Sequence, residues 1–203
     1  MNYFITGIGT NVGKTLVAAI LTEAWQADYW KPVQSGTIEG CDSDTVRSLI
    51  RNSKTQIHPE AYLLKEPLSP HFAAKLDGVE IDLSLIIKPK TTNTLIIEGA
   101  GGLLVPLNDE HAVIDLARQF GSEVILVISD YLGCINHALL SIHYLQANQY
   151  KIHSLVFNGE FAEEVRTAIT RKAPDCKIIS IPRLAGISGE TILALSHALK
   201  AAQ

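Results

Sequence analysis

The chain opens with a short apolar segment that runs directly into a glycine-rich turn ending in Gly-Lys-Thr. Residues 3–6 predict a buried β-strand, and the apolar-periodic residues after the turn predict a helix over residues 14–26. A glycine-rich turn between a strand and a helix can direct several backbone N–H groups toward one anion. The sequence therefore predicts a phosphate-binding loop at residues 7–15.

The glycines of this loop are offset from the common G-x-x-x-x-G-K-[ST] spacing. That spacing would place the first glycine at Ile8, whereas the chain has Gly7 and Gly9. Lys14 supplies a positive charge for phosphate groups, and the Thr15 hydroxyl is of the type that binds Mg²⁺. The structural alternative is a strand–helix turn with a chance lysine, but the flanking strand and helix patterns favour a nucleotide site. We therefore expect ATP and Mg²⁺ as ligands.

Strand-like and helix-like segments alternate along the rest of the chain. Strands are predicted at residues 3–6, 29–31, 94–97, 123–128, 152–157 and 177–181. Helices are predicted at residues 14–26, 43–51, 112–120, 136–149, 162–172 and 190–201. Short, continuous apolar strands are typical of a sheet that is buried on both faces. The pattern predicts an α/β fold, a doubly wound and mostly parallel sheet with helices on both faces, in a single domain over residues 1–203.

Composition excludes several classes of protein. A chain with 47% hydrophobic and 19% charged residues is not intrinsically disordered. The net charge of −4 and the short apolar runs predict neither a nucleic-acid partner nor a membrane partner. Cys41, Cys134 and Cys176 are widely spaced and form no disulfide pattern, which favours a reducing, cytoplasmic location.

A second glycine-rich segment follows the predicted strand at residues 94–97. In phosphate-loop enzymes an acidic residue at the end of a neighbouring strand holds the metal ion, directly or through water. Glu98 has that position, and Gly99, Gly101 and Gly102 would let backbone N–H groups approach a phosphate closely. An ordinary strand–loop turn is the alternative, and the nearby Gly-Lys-Thr motif makes it less favoured.

Further polar residues follow the predicted second strand. Lys31 would lie beside the phosphate loop, where a second ammonium group can offset charge on a transferring phosphoryl group. Ser35, in the polar turn after it, is a candidate ligand contact. Asp44 is a candidate second carboxylate for Mg²⁺, whereas Asp42 and Ser43 are candidate N-caps of the next helix. The alternative for Lys31 is a surface lysine at a strand exit.

The segment Leu-Gly-Cys-Ile-Asn-His-Ala at residues 132–138 begins a predicted helix after the strand at residues 123–128. A helix N-terminus offers free N–H groups to a carboxylate. Cys134 lacks a base and an orienting group that would make it a nucleophile, so we expect a structural role for it. The scattered histidines show no metal-ligand spacing.

Together these segments resemble the dethiobiotin synthetases, the ATP-dependent ligases of biotin biosynthesis. The matching motifs are TG-x-G-T-x-x-GKT at residues 6–15, KPV-x-SG at 31–36, SD at 43–44, SPH at 69–71, EGAGG at 98–102, LGCINHA at 132–138, Asn158 and IP-x-L at 181–184. They come in family order and span nearly the whole chain. The resemblance implies that 7,8-diaminononanoate and CO2 give dethiobiotin, ADP and phosphate, through a carbamate and a carbamic-phosphoric anhydride.

The resemblance also implies roles for individual residues. Lys31 is the implied catalytic residue, and the implied Mg²⁺ ligands are Thr15, Asp44 and Glu98. ATP contacts are implied for Asn11, Val12, Gly13, Lys14, Thr15, Leu16, Asp44, Glu98, Gly99, Ala100, Gly101, Asn158, Pro182, Arg183 and Leu184. Substrate contacts are implied for Ser35, Gly102, Gly133, Cys134, Ile135 and Asn136, the last four across a homodimer interface that carries the active sites.

Two positions depart from the family pattern. Asn11 stands where family members carry an acidic loop residue, and Gly159 follows Asn158 where an acidic residue is common. The alternative functions are another phosphate-loop ligase, a nucleotide-binding regulator without turnover, and a partition-type ATPase. Partition-type ATPases carry an extra lysine where this chain has Gly9, and they end in a basic helix, whereas residues 190–201 contain a single lysine.

Overall fold

The computed structural model describes residues 1–201, apart from the side chain of Glu39, so the last two residues of the predicted 1–203 domain lie outside it. The strands are β1 (Asn2–Gly7), β2 (Asp28–Trp30), β3 (Val33–Ser35), β4 (Ile57–His58), β5 (Tyr62–Leu64), β6 (Leu95–Gly102), β7 (Glu123–Ser129), β8 (Ile152–Asn158) and β9 (Lys177–Ile181). The α-helices are α1 (Lys14–Trp25), α2 (Asp42–Leu49), α3 (Pro70–Leu76), α4 (Asp115–Gln119), α5 (Cys134–Ala147), α6 (Glu163–Thr170) and α7 (Gly189–Ala201).

Seven of the strands form one sheet in the order β4-β2-β6-β1-β7-β8-β9, and each of their pairings is parallel. Successive residues of β1 point to opposite faces, so Phe4 enters one apolar cluster and Ile5 enters the other. Both clusters consist of buried side chains, which explains why the strands are continuously apolar. The sheet confirms the predicted α/β fold class.

The carboxyl ends of β1, β2 and β6 lie side by side near the centre of the sheet. Ile5 of β1 is in register with Glu98 of β6, and Trp30 of β2 is in register with Ile97. Lys31, which follows Trp30, therefore emerges beside Glu98 and close to the phosphate loop that follows β1. Ligand sites of open parallel sheets form at this edge.

Residues 33–90 contain elements that the sequence pattern did not predict. β3 and β5 pair as a separate two-stranded parallel sheet, and α3 begins with Pro70 in its first turn. The N-cap of α2 is Cys41, so the expectation of a cap at Asp42 or Ser43 was wrong. Both of those residues lie inside the helix.

The helix predicted at residues 112–120 is shorter in the structure and occupies only Asp115–Gln119. The backbone N–H groups of Val113 and Ile114 donate to the carbonyl oxygens of Val105 and Leu103, so they bond to a distant turn and not to a preceding helical turn. The longest helix, α5, has 14 residues. Within residues 1–201, no helix is both long and apolar enough to cross a membrane.

Candidate active site

Close side-chain contacts explain two glycines of the phosphate loop, the offset Gly7 and the Gly13 that precedes Lys14. A Cβ atom on Gly7 would lie 2.4 Å from Cγ2 of Val12, and one on Gly13 would lie 2.2 Å from Nδ2 of Asn158. Gly13 also has a φ angle of 91°, in the left-handed region that favours glycine. The Gly7 position is therefore required by the side chain of Val12, which is 2% exposed and fills the inside of the turn.

Asn11 adopts a left-handed backbone conformation with a φ angle of 58°. Asparagine is one of the few residues that tolerates this region without a large penalty. The backbone conformation at position 11 is therefore compatible with asparagine, where the family pattern has an acidic residue. Asn11 is exposed and lines the cavity described below.

Lys14 begins α1 and folds back over the loop, where its Nζ donates to the carbonyl oxygen of Gly9 at 3.2 Å. The side chain is buried, and no carboxylate pairs with it directly among the described ion pairs. Burial, followed by the positive charge of Lys31, lowers the pKa of Lys14 to about 8. An incoming phosphate would remove this penalty by supplying the missing negative charge.

Glu98 is the centre of a buried polar cluster at the end of the sheet, and it is only 1% exposed. Its Oε1 accepts hydrogen bonds from Oγ1 of Thr15 at 2.8 Å and from Nζ of Lys31 at 3.1 Å. Its Oε2 accepts from the hydroxyl of Tyr29 at 2.8 Å. The first turn of α1, strand β2 and the residue that follows β2 thus converge on one carboxylate of β6, as expected when the carboxyl ends of neighbouring parallel strands meet at one edge.

Lys31 is buried between two carboxylates, because it donates to Oδ2 of Asp42 as well as to Glu98. Burial opposes its positive charge, but Glu98 and Asp42 outweigh burial and raise the pKa of Lys31. Lys31 is therefore charged and fixed in place beside the phosphate loop, not mobile in solvent. The alternative of a surface lysine at a strand exit is wrong for this residue.

Asp44 lies outside this cluster, and Asp42 reaches it instead. The side chain of Asp44 is 68% exposed, and its Oδ1 pairs with Nη1 of Arg47 at 2.6 Å along the helix surface. Two helical residues that are two positions apart point in directions about 200° apart. Since α2 begins at Asp42, that residue faces Lys31 and Asp44 faces solvent. Sequence spacing alone could not fix which aspartate turns inward.

Gln34 supports the start of α2 from the neighbouring loop. Its Oε1 accepts from the backbone N–H of Asp42 at 3.1 Å, and its Nε2 donates to the carbonyl oxygen of Ser35 at 2.7 Å. Cys41, the N-cap of α2, makes no side-chain cap hydrogen bond. Gln34 therefore supplies a cap that the local sequence of α2 lacks. The Oγ of Ser35 is buried without a hydrogen-bond partner among the described residues, and its residue lines the cavity.

These groups border a cavity of about 1000 Å³, a volume suited to a nucleotide with a second small ligand. Of the predicted site residues, the cavity is lined by Asn11, Gly13, Lys14, Thr15, Leu16, Lys31, Ser35, Glu98, Ala100 and Gly101. Its other lining residues are Thr10, Gln34, Gly36, Gly40, Cys41, Asp42, Thr45, Leu49, Pro67, Leu68, Ser69, Pro70, Val105 and Ile187. The two glycine-rich segments meet here, because a Cβ atom on Gly102 would lie 3.5 Å from Cα of Gly9. Gly99 lies behind the wall, packed against Phe4 and Val113.

The predicted adenine contacts lie at the ends of β8 and β9, next to the phosphate loop but outside the cavity lining. Nδ2 of Asn158 donates to the carbonyl oxygen of Val12 at 2.9 Å. Gly159 has a φ angle of 127°, so it adopts a conformation that an acidic side chain would not readily accept. In the next segment, Nη2 of Arg183 lies 3.2 Å from Oδ2 of Asp130, and Pro182 and Leu184 flank it.

The helix start at residues 133–136 also lies outside the cavity of this single chain. Cys134 is buried, Ile135 is half-buried, and Gly133 and Asn136 are exposed. The preceding Leu132 is fully exposed at the tip of the loop. No described residue of the chain covers this apolar tip.

The oxygen groups at the centre of the site fit a magnesium ion. Thr15 and Glu98 present a hydroxyl and a carboxylate at 2.8 Å from each other, and Asp42 adds a second carboxylate to the same cavity wall. Mg²⁺ uses few protein oxygens and completes its shell with phosphates and water. Within residues 1–201 there is no cluster of three or more His, Cys, Asp or Glu side chains that would suit a protein-enclosed metal instead.

Comparisons with known proteins identify relatives at two levels. A family model described as an AAA domain matches residues 1–191. The ATP-dependent dethiobiotin synthetase BioD of Cytophaga hutchinsonii is 55% identical over 170 residues, which are 83% of this chain and 82% of that protein. The protein of the same name from Agrobacterium fabrum is 42% identical over 95% of this chain and 91% of its own length.

Solved structures of low sequence identity share the fold. The cell division ATPase MinD of Pyrococcus furiosus has a TM-score of 0.58 at 14% identity, covering 100% of this chain and 99% of its own. A ParA family ATPase of Chlorobium tepidum has a TM-score of 0.53 at 12% identity, covering 99% and 92%. At such identities the likeness shows the fold alone, so the partition-type alternative is less supported than the ligase. The chain belongs to the AAA-domain family and, within it, to the ATP-dependent dethiobiotin synthetases.

Proposed function

We propose that this chain uses ATP to join CO2 to 7,8-diaminononanoate and closes the ureido ring of dethiobiotin, with release of ADP and phosphate. The observation that carries the proposal is the Lys31–Glu98–Thr15 cluster beside the phosphate loop, in a chain with dethiobiotin synthetase relatives. The reaction needs positioning and charge neutralisation more than proton transfer. A site built from two buried lysines and a carboxylate-anchored hydroxyl suits that demand.

The phosphate loop would hold the phosphates of ATP. Lys14 and the backbone N–H groups of residues 11–16 are the proposed contacts, since all of these residues except Val12 line the cavity. Bound phosphate would restore the full charge of Lys14. The proposed base contacts remain Asn158, which is hydrogen-bonded to the loop at Val12, and the segment at residues 182–184 after β9.

Thr15 and Glu98 are the proposed Mg²⁺ ligands, with Asp42 in the place that the sequence pattern suggested for Asp44. When bound, Mg²⁺ would neutralise charge on the phosphate oxygens. The hydrogen bond between Thr15 and Glu98 keeps both oxygen atoms on the same wall of the cavity. Glu98 and Asp42 therefore have a double role, because they also hold Lys31.

Lys31 is the proposed catalytic residue. Its ammonium group is held charged by two carboxylates and borders the same cavity as Lys14. It would stabilise the carbamate and then the transferring phosphoryl group, where negative charge grows in the transition state. The buried, unpartnered hydroxyl of Ser35 is a proposed contact for the diamine or its carbamate, and Gly102 would flank it.

We further propose that two copies of the chain assemble so that residues 133–136 of one copy receive the substrate carboxylate of the other. The free N–H groups at the start of α5 and the exposed apolar tip at Leu132 support this arrangement. A cytoplasmic location stays a prediction, supported by the three free cysteines.

The test is ADP release measured with the diamine and bicarbonate present together and with each omitted. We expect release to require both and to match the dethiobiotin formed. ATP hydrolysis that proceeds equally well without the diamine would exclude the synthetase reaction and leave a simple nucleotide hydrolase. In Thr15→Val, metal-dependent nucleotide affinity should fall, and an unchanged Mg²⁺ dependence would remove Thr15 from the ligand set.

A further inference from the structure

Tyr29 lies directly beneath the site and takes part in it through Glu98 alone. The side chain is fully buried in β2 and does not line the cavity. Its hydroxyl donates to Oε2 of Glu98 at 2.8 Å. A tyrosine in a short apolar strand is ordinarily interpreted as a core residue. The hydroxyl of Tyr29, however, is hydrogen-bonded to Glu98, the central carboxylate of the site.

The contact is fixed by the register of the sheet. Tyr29 of β2 is in register with Ile96 of β6, and Glu98 lies two residues further along the same face. Diagonal neighbours on adjacent strands are within reach of an aromatic side chain. No loop movement is needed to form the hydrogen bond, and none of the cavity-lining loops needs to close over it.

The two oxygens of Glu98 have different donors. Oε1 accepts from Thr15 and Lys31, whereas Oε2 accepts from Tyr29. A buried carboxylate oxygen that loses its donor is strongly penalised. The carboxylate can therefore regain a donor for Oε2 only by rotating or shifting, and either movement would disturb Oε1, the oxygen that faces Thr15.

We propose that Tyr29 is a positioning residue: it holds the carboxylate of Glu98 so that Oε1 faces Thr15 and Lys31, and it thereby sets how tightly the site binds nucleotide with Mg²⁺. This proposal rests on the proposed role of Thr15 and Glu98 as metal ligands. Tyr29 itself touches neither substrate nor nucleotide.

The hydroxyl is a dependable donor. Burial, followed by the negative charge of Glu98, raises the pKa of Tyr29 well above its usual range. The phenol is therefore protonated at neutral pH and can donate to Glu98.

The test compares Tyr29→Phe with Tyr150→Phe. Phenylalanine keeps the ring and removes only the hydroxyl, so the fold is retained. Tyr150 is the matched control, because it is also buried and its hydroxyl lies 3.3 Å from Oδ1 of Asp115, away from the site. ADP binding is measured by calorimetry, without turnover, at a series of Mg²⁺ concentrations and again with chelator. The thermal midpoint of each variant is recorded alongside.

Tyr29→Phe is expected to need about tenfold more Mg²⁺ for the same ADP affinity, because a hydrogen bond to a charged group contributes about that factor. ADP affinity in chelator should stay at the wild-type value, and Tyr150→Phe should match the wild type in both measurements. Equal Mg²⁺ requirements in Tyr29→Phe and the wild type would overturn the proposal. So would an equal loss of affinity with and without Mg²⁺, which indicates general damage to the site.

A double variant separates action through Glu98 from action on the fold. If Tyr29 works only through that carboxylate, Tyr29→Phe combined with Glu98→Gln should bind Mg-ADP no more weakly than Glu98→Gln alone. Additive losses would overturn the proposal. If the proposed function itself were wrong, ADP release by the wild type would not depend on the diamine. That result is distinguishable from the results that would overturn the proposal for Tyr29.

Discussion

Asp42 and Asp44 form a natural pair for testing which carboxylate belongs to the site. Both lie in the first turn of α2, so each interacts favourably with the positive end of the helix dipole. Replacing either by asparagine removes that common contribution. The difference between Asp42→Asn and Asp44→Asn therefore compares the buried contact of Asp42 with Lys31 and the exposed contact of Asp44 with Arg47.

The size of this stability difference follows from the solvent exposure of the paired side chains. The Asp42 side chain is 31% exposed and its partner Lys31 is 5% exposed, whereas Asp44 and Arg47 are 68% and 59% exposed. A hydrogen bond between charged groups contributes about 1.5–3 kcal/mol when protected from water, and partial exposure reduces this to about 1–2 kcal/mol. An exposed helix pair contributes about 0.3–0.5 kcal/mol. Asp42→Asn should thus be less stable than Asp44→Asn by about 1 kcal/mol, or about 3 °C in thermal midpoint for a chain of this size.

The assay is urea unfolding of both variants, followed by the Mg²⁺ dependence of ADP release. Asp42→Asn should unfold at lower urea and need more Mg²⁺ for half-maximal rate. Asp44→Asn should keep the wild-type Mg²⁺ dependence. Equal stability of the two variants would refute the stabilising contact between Asp42 and Lys31. A raised Mg²⁺ requirement in Asp44→Asn alone would support the sequence-based prediction that Asp44 binds the metal.

Three further predictions concern other buried polar groups. Because the pKa of Lys14 is lowered to about 8 in the free enzyme, Lys14 should take up a proton on ADP binding at about pH 9 and none at about pH 6.5. Calorimetry in two buffers of different ionisation enthalpy measures this proton uptake, and zero uptake at the higher pH would contradict the prediction. Asp28 is buried, and although burial opposes its charge, hydrogen bonds from Thr91, the Gln56 backbone, Asn93 and His58 outweigh burial and lower its pKa. Its stabilisation is therefore present above the unfolded pKa and is lost as pH falls through the lower folded pKa. The stability gap between wild type and Asp28→Asn should be full at about pH 6 and should narrow progressively as the pH falls below about pH 4. A gap that does not narrow in acid, as measured by urea unfolding, would count against this reasoning. Gln34→Ala should cost about 1 kcal/mol of unfolding free energy through loss of the α2 cap. Gln146→Ala removes an exposed side-chain hydrogen bond to the carbonyl oxygen of Lys172, and an equal loss in that variant would contradict a particular contribution of the cap.

The sequence predicted the sheet and the strand-end residues because these depend on local pattern. Continuous apolar strands are easily recognised, and Lys14 and Lys31 directly follow a loop and a strand, whereas Glu98, which was predicted to follow a strand, lies inside β6, because that strand continues to Gly102. Parallel strands bring such ends together without any knowledge of the connecting segments. Those are the residues that the structure gathers around one cavity.

The parts that could not be predicted depend on exact helix phase or on contacts between distant segments. A shift of one residue in the start of α2 exchanges an N-cap for a helical residue and decides which aspartate faces Lys31. Gln34 caps that helix from eight residues away, and Tyr29 reaches Glu98 across 69 residues. Neither contact leaves a periodic signal. The strands β3 and β5, at three residues each, are too short to show alternation.

The two buried lysines explain why one site can both hold phosphate and remain stable without it. Lys31 carries its charge permanently, because Glu98 and Asp42 pair with it and raise its pKa. Among the described residues, the hydrogen-bond partner of the Lys14 ammonium group is a carbonyl oxygen, and the pKa of Lys14 is lowered to about 8, so its charge is poorly compensated until an anion arrives. If both lysines were fully paired, bound phosphate would have to displace carboxylates from them; if neither were, two like charges would destabilise the fold. A carboxylate partner for Lys14 should therefore weaken nucleotide binding and raise the stability of the free enzyme. The proposed chemistry requires the opposite balance, in which Lys14 stays without such a partner so that it can bind phosphate.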